Sequence, residues 1–367
     1  MSTTDFSEVE WLRYSRHIQL AKFGAEGQKK LKQSHLLVVG AGGLGSPVLL
    51  YLAAAGVGKI TIIDGDSVDV TNLQRQVIFD SKDVGSPKAS AAKNKLCALN
   101  PHINVDAIPE FFSLENSKRL VANADIVLDC TDNFSTRYLI NDRCAEENTP
   151  WIFASIYQFS GQCSLFMPGQ ACFRCLFPEM AKEAQDCSEA GVIGVLPGIL
   201  GTIQATEAIK YITGLPTPLK NHLLLFDAMN YSSRQIELSQ SKECVVCAEG
   251  KTAEQLDGFY MPHCNSNNEK SYEISVETFD PSATDIQLID VRTDAEREAF
   301  HIGGTHIPLD SLEKNLALIT GDKIVCYCQT GVRSLKAAKI LVDQGLNAHS
   351  LGGGLTGLLE SKQHQRP

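Results

Sequence analysis

Two cysteine pairs, Cys172-Phe-Arg-Cys175 and Cys244-Val-Val-Cys247, have the residue types and spacing that speak most directly of chemistry in this chain. Two cysteines three positions apart on a tight knuckle turn both thiolates to one side, and two such knuckles close a four-sulfur shell. The pairs therefore predict one tetrahedral Zn2+ site held by Cys172, Cys175, Cys244 and Cys247. Short disulfides or redox C-x-x-C motifs are the competing reading.

A second group surrounds the turn Gly40-Ala-Gly-Gly-Leu-Gly45, in which Gly40, Gly42 and Gly45 fit G-x-G-x-x-G and Gly43 lies between them. Such glycines let backbone N–H groups and a helix N-terminus approach a polyphosphate. Asp64 stands at the end of the next strand, where an acidic residue can bind ribose hydroxyls. Turn and carboxylate together do not tell NAD from ATP. The residues beyond them do, because Asn72, Arg75 and Lys88 add an amide and two cations. Displacement at an α-phosphate needs charge stabilised on the phosphoryl oxygens and the departing pyrophosphate, whereas hydride transfer has little use for those cations. Nucleotidyl transfer from ATP is the expectation, without a Walker-type loop, since G-x-x-x-x-G-K-[ST] is absent.

The third group is Cys328-Gln-Thr-Gly331-Val-Arg333, after an apolar strand and before a helix. A thiol there faces backbone N–H groups, the positive end of a helix and Arg333, all of which favour a thiolate or a bound persulfide. A phosphatase also uses a cysteine-to-arginine anion loop, but the short loop here suits sulfur better. Cys326 reads as core.

The elements that must position these groups alternate. His35–Val39 and Lys59–Asp64 read as strands flanking a helix from Ser46 to Ala55, with further strands at 123–129 and 150–155 and a helix at 136–147. That order predicts a mainly parallel α/β sheet of the nucleotide-binding kind. From Ala248 to Lys270 the pattern gives way to polar, turn-rich sequence that reads as a linker. A second, smaller α/β unit follows, with strands at 287–290 and 323–327, helices at 295–300 and 334–344, and Gly352-Gly-Gly354 as a flexible spot.

Composition narrows the class. A chain of 367 residues exceeds what one core comfortably holds, so two domains are expected. The start, Met1-Ser2-Thr3-Thr4-Asp5, carries no basic-then-apolar leader, so the twelve cysteines are expected free or metal-bound in a cytoplasmic, reducing setting. No apolar run is long enough for a membrane span, and a net charge of -10 argues against nucleic acid as a partner.

Six motifs in order, the glycine turn, Asn72-Leu-Gln-Arg75-Gln, Gly85-Ser-Pro-Lys88, Cys130-Thr-Asp132-Asn and the two cysteine pairs, resemble the MoeB/ThiF-like E1 adenylyltransferases over roughly residues 8 to 248. The resemblance implies a Rossmann-like domain that activates the C-terminal glycine of a ubiquitin-like sulfur carrier protein ending in Gly-Gly. It further implies that Asp64 binds ribose, that Asn72, Arg75 and Lys88 hold the phosphates, and that Asp132 binds Mg2+. Arg16 resembles the arginine that this family supplies across a homodimer interface. Cys187 lies in a stretch that in the family crosses near the adenylate and can form a covalent link to the carrier. Residues from about 272 to 360, with Asp290-Val-Arg292 and His301-Ile-Gly-Gly-Thr-His-Ile-Pro308 beside the Cys328 loop, resemble a rhodanese sulfurtransferase. Residues 1–248, 249–271 and 272–367 are therefore expected to be adenylyltransferase domain, linker and rhodanese-like domain. Persulfide or thiosulfate would be the sulfur donor, Cys328 and Arg333 the catalytic pair. A thioester-forming or docking-only activator and a dinucleotide-dependent oxidoreductase are the alternatives.

Overall fold

The expected alternation is realised in two units, residues 1–262 and 263–367. The computed structural model describes residues 6–179, 191–260, 272–281, 283 and 285–364.

In the first unit, β1 (His35–Val39), β2 (Lys59–Ile63), β3 (Asn104–Ile108), β4 (Ile126–Asp129) and β5 (Trp151–Tyr157) form the parallel part of an eight-stranded sheet. The strands β6 (Ser160–Phe166), β7 (His222–Asp227) and β8 (Ser232–Glu237) continue it antiparallel, in the order β3-β2-β1-β4-β5-β6-β7-β8. Burial explains the sequence of β1. Leu36 and Val38 face one core with Leu49, Leu52 and Leu200, while Leu37 and Val39 face a second core with Tyr138, Trp151 and Phe153. A strand covered on both faces reads as a continuous apolar run, which is why it was legible. The sheet is more mixed than expected. The edge strand β8 is exposed at every residue and so carries no apolar alternation to read.

Helix α1 (Glu8–Ile18) opens with a capping box between Ser7 and Glu10, and its outer face leaves Trp11 and Leu12 exposed. Helix α2 (Gly24–Gln33) leads into β1. The crossovers that matter for the site are α3 (Gly45–Ala55), α4 (Lys88–Leu99), α5 (Leu114–Ala122) and α6 (Phe134–Glu146). Helix α3 is apolar nearly all round and is correspondingly buried. The short α7 (Phe173–Leu176) and the long α8 (Leu196–Thr213) follow.

The stretch read as linker is shorter than expected at its start. Residues Glu254–Leu256 form a 3-10 turn and Asp257–Tyr260 a helical turn, α9. Glu254 pairs with Arg143 at 2.6 Å, and the Tyr260 hydroxyl donates to Asp142 Oδ2 at 2.5 Å. Phe259 meets the Tyr138 ring edge-on at 4.9 Å. Polar local composition conceals this anchoring because its partners lie far back on α6.

The second unit is a five-stranded parallel sheet in the order β11-β10-β12-β13-β9. Its strands are β9 (Glu273–Ile274), β10 (Gln287–Asp290), β11 (Thr305–His306), β12 (Ile324–Tyr327) and β13 (Ala348–Leu351). The central β12 is wholly buried, as its apolar sequence predicts. Around the sheet lie α10 (Asp294–Ala299), α11 (Val332–Asp343) and α12 (Gly354–His364). Among the described residues no helix is long and apolar enough to cross a membrane.

Candidate functional site

Strand order reverses direction between β1 and β4, and a cavity of about 380 Å³ opens there at the carboxyl ends of the strands. Its wall brings together Gly40, Gly42, Gly43, Asp64, Arg75, Lys88 and Asp132, which are far apart in sequence. The turn needs its glycines for packing as well as approach. Gly40 has φ +95°, and a Cβ on it would come within 2.7 Å of the Cys130 carbonyl oxygen. A Cβ on Gly45 would meet the Gly40 oxygen at 2.2 Å, so only glycine lets α3 begin directly against the turn. The turn leading into α3 thereby faces the cavity, whose wall includes Gly42, Gly43 and Leu44.

Asp64 is fixed by two backbone donors, Ala41 N at 2.7 Å and Asp66 N at 2.9 Å. Burial pushes its carboxyl above the usual carboxylate range, and these donors oppose the rise. Lys88, the first residue of α4, is buried and pairs with exposed Asp66 at 2.8 Å. Arg75 is held by the Thr71 carbonyl at 3.1 Å. Asp132 lies exposed in the cavity wall that Arg75 and Lys88 also line. Such a set can bind a polyphosphate, compensate its charge and hold a divalent cation.

Other expected residues stand elsewhere. Asn72 is not in the wall, and its side-chain oxygen accepts from Asp69 N at 3.2 Å, which caps the 3-10 turn that presents Arg75. Arg16 is exposed on α1, 3.5 Å from Gln19 Oε1. Cys187 lies outside the described residues. Sequence reasoning missed Arg137, which lines the cavity from the first turn of α6. It pairs with buried Asp129 at 2.9 Å and donates to the carbonyls of Thr131 and Ala154. The available signal was an arginine one turn into a helix that is otherwise buried.

The four cysteines of the two pairs converge. Their sulfurs all lie within 4.8 Å of one another, with 3.8 Å between Cys172 and Cys175, 3.5 Å between Cys172 and Cys244, and 3.3 Å between Cys175 and Cys247. A tetrahedral shell with Zn–S bonds near 2.3 Å places its sulfurs roughly 3.8 Å apart, so the cluster fits zinc and is too open for disulfides. Cys175 Sγ accepts backbone N–H groups from Cys172 and Ser241. The bond from Cys172 and these donors draw the Cys175 thiol down to about 4, while the same contact and burial push Cys172 up. Four such groups become thiolates together only around a cation. The knuckle also reaches the cavity. Phe173, inside the first pair, lines it, and Arg174 is bidentate to Asp142 of α6 at 2.7 and 2.6 Å.

In the second unit Cys328 directly follows β12 and lies beneath the N-terminus of α11. Gly331 N–H donates to its sulfur at 3.1 Å and the Ser334 hydroxyl lies 3.5 Å away. Arg333 forms a bidentate pair with Glu296 on α10, at 2.8 and 2.5 Å, and this holds the Glu296 carboxyl down to about 2. The guanidinium thus braces the loop through α10, and the helix terminus gives the sulfur its direct donor. Gly352–Gly354, read from the sequence as a flexible spot, lies close against the loop, where a Cβ on Gly354 would come within 2.6 Å of the Cys328 carbonyl oxygen. Leu355 N donates to the Cys328 carbonyl at 2.9 Å and Thr356 N to that of Gln329 at 3.0 Å. Cys326 is fully buried, and burial pushes its thiol up to about 12.

A nucleotide-type cavity lined by two cations, a four-cysteine cluster and a thiol loop on a second α/β unit define an E1-like adenylyltransferase joined to a sulfurtransferase domain. The chain belongs to the ThiF family, whose model matches residues 14–246, and residues 280–361 match the rhodanese-like domain. It is 38% identical over 371 residues to the probable adenylyltransferase/sulfurtransferase MoeZ of Mycobacterium tuberculosis, across 97% of this chain and 95% of that protein. It is 44% identical over 259 residues to the sulfur carrier protein adenylyltransferase of Thermus thermophilus, covering 68% of this chain and 96% of the relative. The crystal structure of E. coli MccB with ATP superposes with a TM-score of 0.57 at 28% identity, over 64% of this chain and 74% of that one. The protein is therefore an enzyme with adenylyltransferase and sulfurtransferase domains, and ATP is the nucleotide its family uses.

Proposed function

We propose that the first domain adenylates the C-terminal glycine of a ubiquitin-like sulfur carrier protein and that Cys328 delivers the sulfur that converts it to a thiocarboxylate. The observation that carries the first half is the convergence of Asp64, Arg75, Lys88 and Asp132 on one cavity beneath a helix N-terminus. Asp64, with both oxygens already oriented by backbone donors, would hold the ribose. Arg75 and Lys88 would neutralise the phosphates, and Asn72 would position Arg75 through its turn. Asp132 would hold Mg2+, which adds charge compensation on the departing pyrophosphate. A terminal carboxylate is ionised at neutral pH, so the reaction needs no general base. Its oxygen attacks the α-phosphorus, the bond to the β-phosphate oxygen breaks, and pyrophosphate leaves. Positioning and charge compensation do the work. Arg16 would act from the partner chain of a homodimer.

The second half begins at Cys328. Its thiolate attacks the outer sulfur of thiosulfate, or of a donor persulfide, and sulfite or the donor thiolate leaves. The resulting persulfide attacks the acyl carbon of the carrier adenylate and displaces AMP, which leaves an acyl disulfide. A second thiol attacks the Cys328 sulfur of that disulfide and releases the thiocarboxylate, and a cellular thiol reductant then reduces the resulting disulfide, returning both thiols and leaving as its own disulfide. Cys187 is our candidate for that thiol.

The test is a mass measurement on a Gly-Gly-ended carrier incubated with protein, ATP, magnesium and thiosulfate. Thiocarboxylate formation adds about 16 Da by atomic mass, since one sulfur replaces one oxygen. Cys328→Ser should still support carrier-dependent pyrophosphate exchange and make no thiocarboxylate. Thiocarboxylate at the parental rate, with free sulfide excluded, would remove Cys328 from the mechanism.

A further inference from the structure

We propose that the Ser334 hydroxyl is a direct hydrogen-bond donor to the sulfur carried on Cys328, and that Ser350 holds it in that role. The proposal rests on the reading that Cys328 carries the transferred sulfur.

Ser334 lies in the first turn of α11 and Ser350 on β13, the strand beside β12. Both are fully buried. Ser334 Oγ is 3.5 Å from Cys328 Sγ, 3.0 Å from the Gly331 carbonyl oxygen and 2.8 Å from Ser350 Oγ. Ser350 Oγ is in turn 3.3 Å from the same Gly331 oxygen. Each hydroxyl has one hydrogen to give. Ser334 must therefore choose among three acceptors, and the charge on the sulfur decides the choice. Beside a neutral thiol the Gly331 carbonyl is the better acceptor. Beside a thiolate or persulfide anion the charge-assisted bond is stronger, and the hydrogen turns to sulfur. Ser350 then donates to the Gly331 oxygen, so no buried acceptor is stranded. The pair exchanges hydrogens without moving a heavy atom, which suits a loop that α12 and Gly352–Gly354 pin from the other side.

Among the described residues, the charged or titratable groups near the loop include Arg333 with its partner Glu296, Asp290 of β10 with Arg292 and Arg297, and Cys326 and Tyr327 on β12. Substitution at Ser334 or Ser350 leaves all of them in place. The effect of the hydroxyls can therefore be separated from that of the arginine.

The experiment uses the full chain with Ser334→Ala, Ser334→Thr, Ser350→Ala and Cys328→Ser. It follows iodoacetamide labelling of the Cys328 peptide by mass spectrometry at pH 7 and pH 10, together with sulfur transfer from thiosulfate to cyanide. Loss of a donor to a charged acceptor predicts labelling about tenfold slower at pH 7 for Ser334→Ala, with rates converging at pH 10, and a parallel loss of transfer. Ser350→Ala should show about a threefold version of the same pattern, and Ser334→Thr should restore it. Equal slowing at both pH values, or parental rates at both, would overturn the role of Ser334. If Ser334→Ala does not fold, Ser350→Ala with unchanged labelling at pH 7 overturns the proposal by itself. Sulfur transfer surviving in Cys328→Ser would instead overturn the reading of Cys328, a separate outcome.

Discussion

Glu296 receives both terminal nitrogens of Arg333 while its own carboxylate also caps α10 through Thr293. The guanidinium holds this carboxyl near 2, below its ordinary 4.5. A depressed acid stabilises the fold fully above its unfolded value, and the contribution disappears as pH falls through the folded one. The second domain should therefore lose stability between about pH 4.5 and pH 2. Glu296→Gln keeps the capping geometry and should flatten that part of the curve in urea unfolding followed against pH. An unaltered pH profile in the variant would mean that the pair does not form in solution.

Lys88→Ala and Arg75→Ala should reduce carrier-dependent pyrophosphate exchange by roughly 10²- to 10³-fold, the usual effect of deleting one group that compensates developing charge. The direct ion pair of Lys88 is with an exposed carboxylate, so thermal stability should change much less than exchange does. Exchange at parental rates in both variants would move the chemistry away from this cavity.

Gly354→Ala is expected to silence the second activity selectively. Gly354 has φ +60°, and an added Cβ would lie within 2.6 to 2.7 Å of the Cys328 and Gln329 carbonyl oxygens and of Gly331 N. The loop cannot accept that atom without shifting the N–H group that faces the sulfur. Thiosulfate to cyanide transfer should fall by at least about tenfold, roughly what loss of one donor to a charged sulfur costs. Pyrophosphate exchange should stay at the parental rate. Full sulfur transfer in a folded variant would show that the Gly352–Gly354 contact is dispensable.

Cys175→Ser should lower bound zinc below one equivalent per chain and destabilise the first domain more than it slows the chemical step. Elemental analysis of freshly purified, reduced protein provides the check, and a wild-type preparation free of zinc that retains full stability would refute it.

The parts of the sites that were legible share a property. Gly40, Asp64 and Cys328 each sit at an element boundary that hydrophobic runs announce, so type and position could be read together, whereas Lys88 was read from its short motif alone. The four cysteines needed only their spacing. Arg137 was missed because its meaning lies in a buried partner, Asp129, contributed by a different strand. Asn72 and Arg333 carried the right residue types, but their side chains are engaged by Asp69 and Glu296, which no local pattern reveals. Strand β8 and the anchored turn at 254–260 escaped for the opposite reason. Their sequences are polar, and only the neighbours they pair with make them structure.

Phe173 belongs to two places at once, following Cys172 in the first cysteine pair and forming part of the nucleotide cavity wall. With zinc on the four cysteines and nucleotide in the cavity, any coupling carried by this ring would be reciprocal, each ligand altering the other's affinity by the same factor. Nucleotide should slow the escape of zinc to a chelator by the factor through which zinc tightens nucleotide binding. Under metal scarcity the order of this wall would go with the stability of the first domain, so zinc supply would set how much folded activator is available for the first step of sulfur mobilisation.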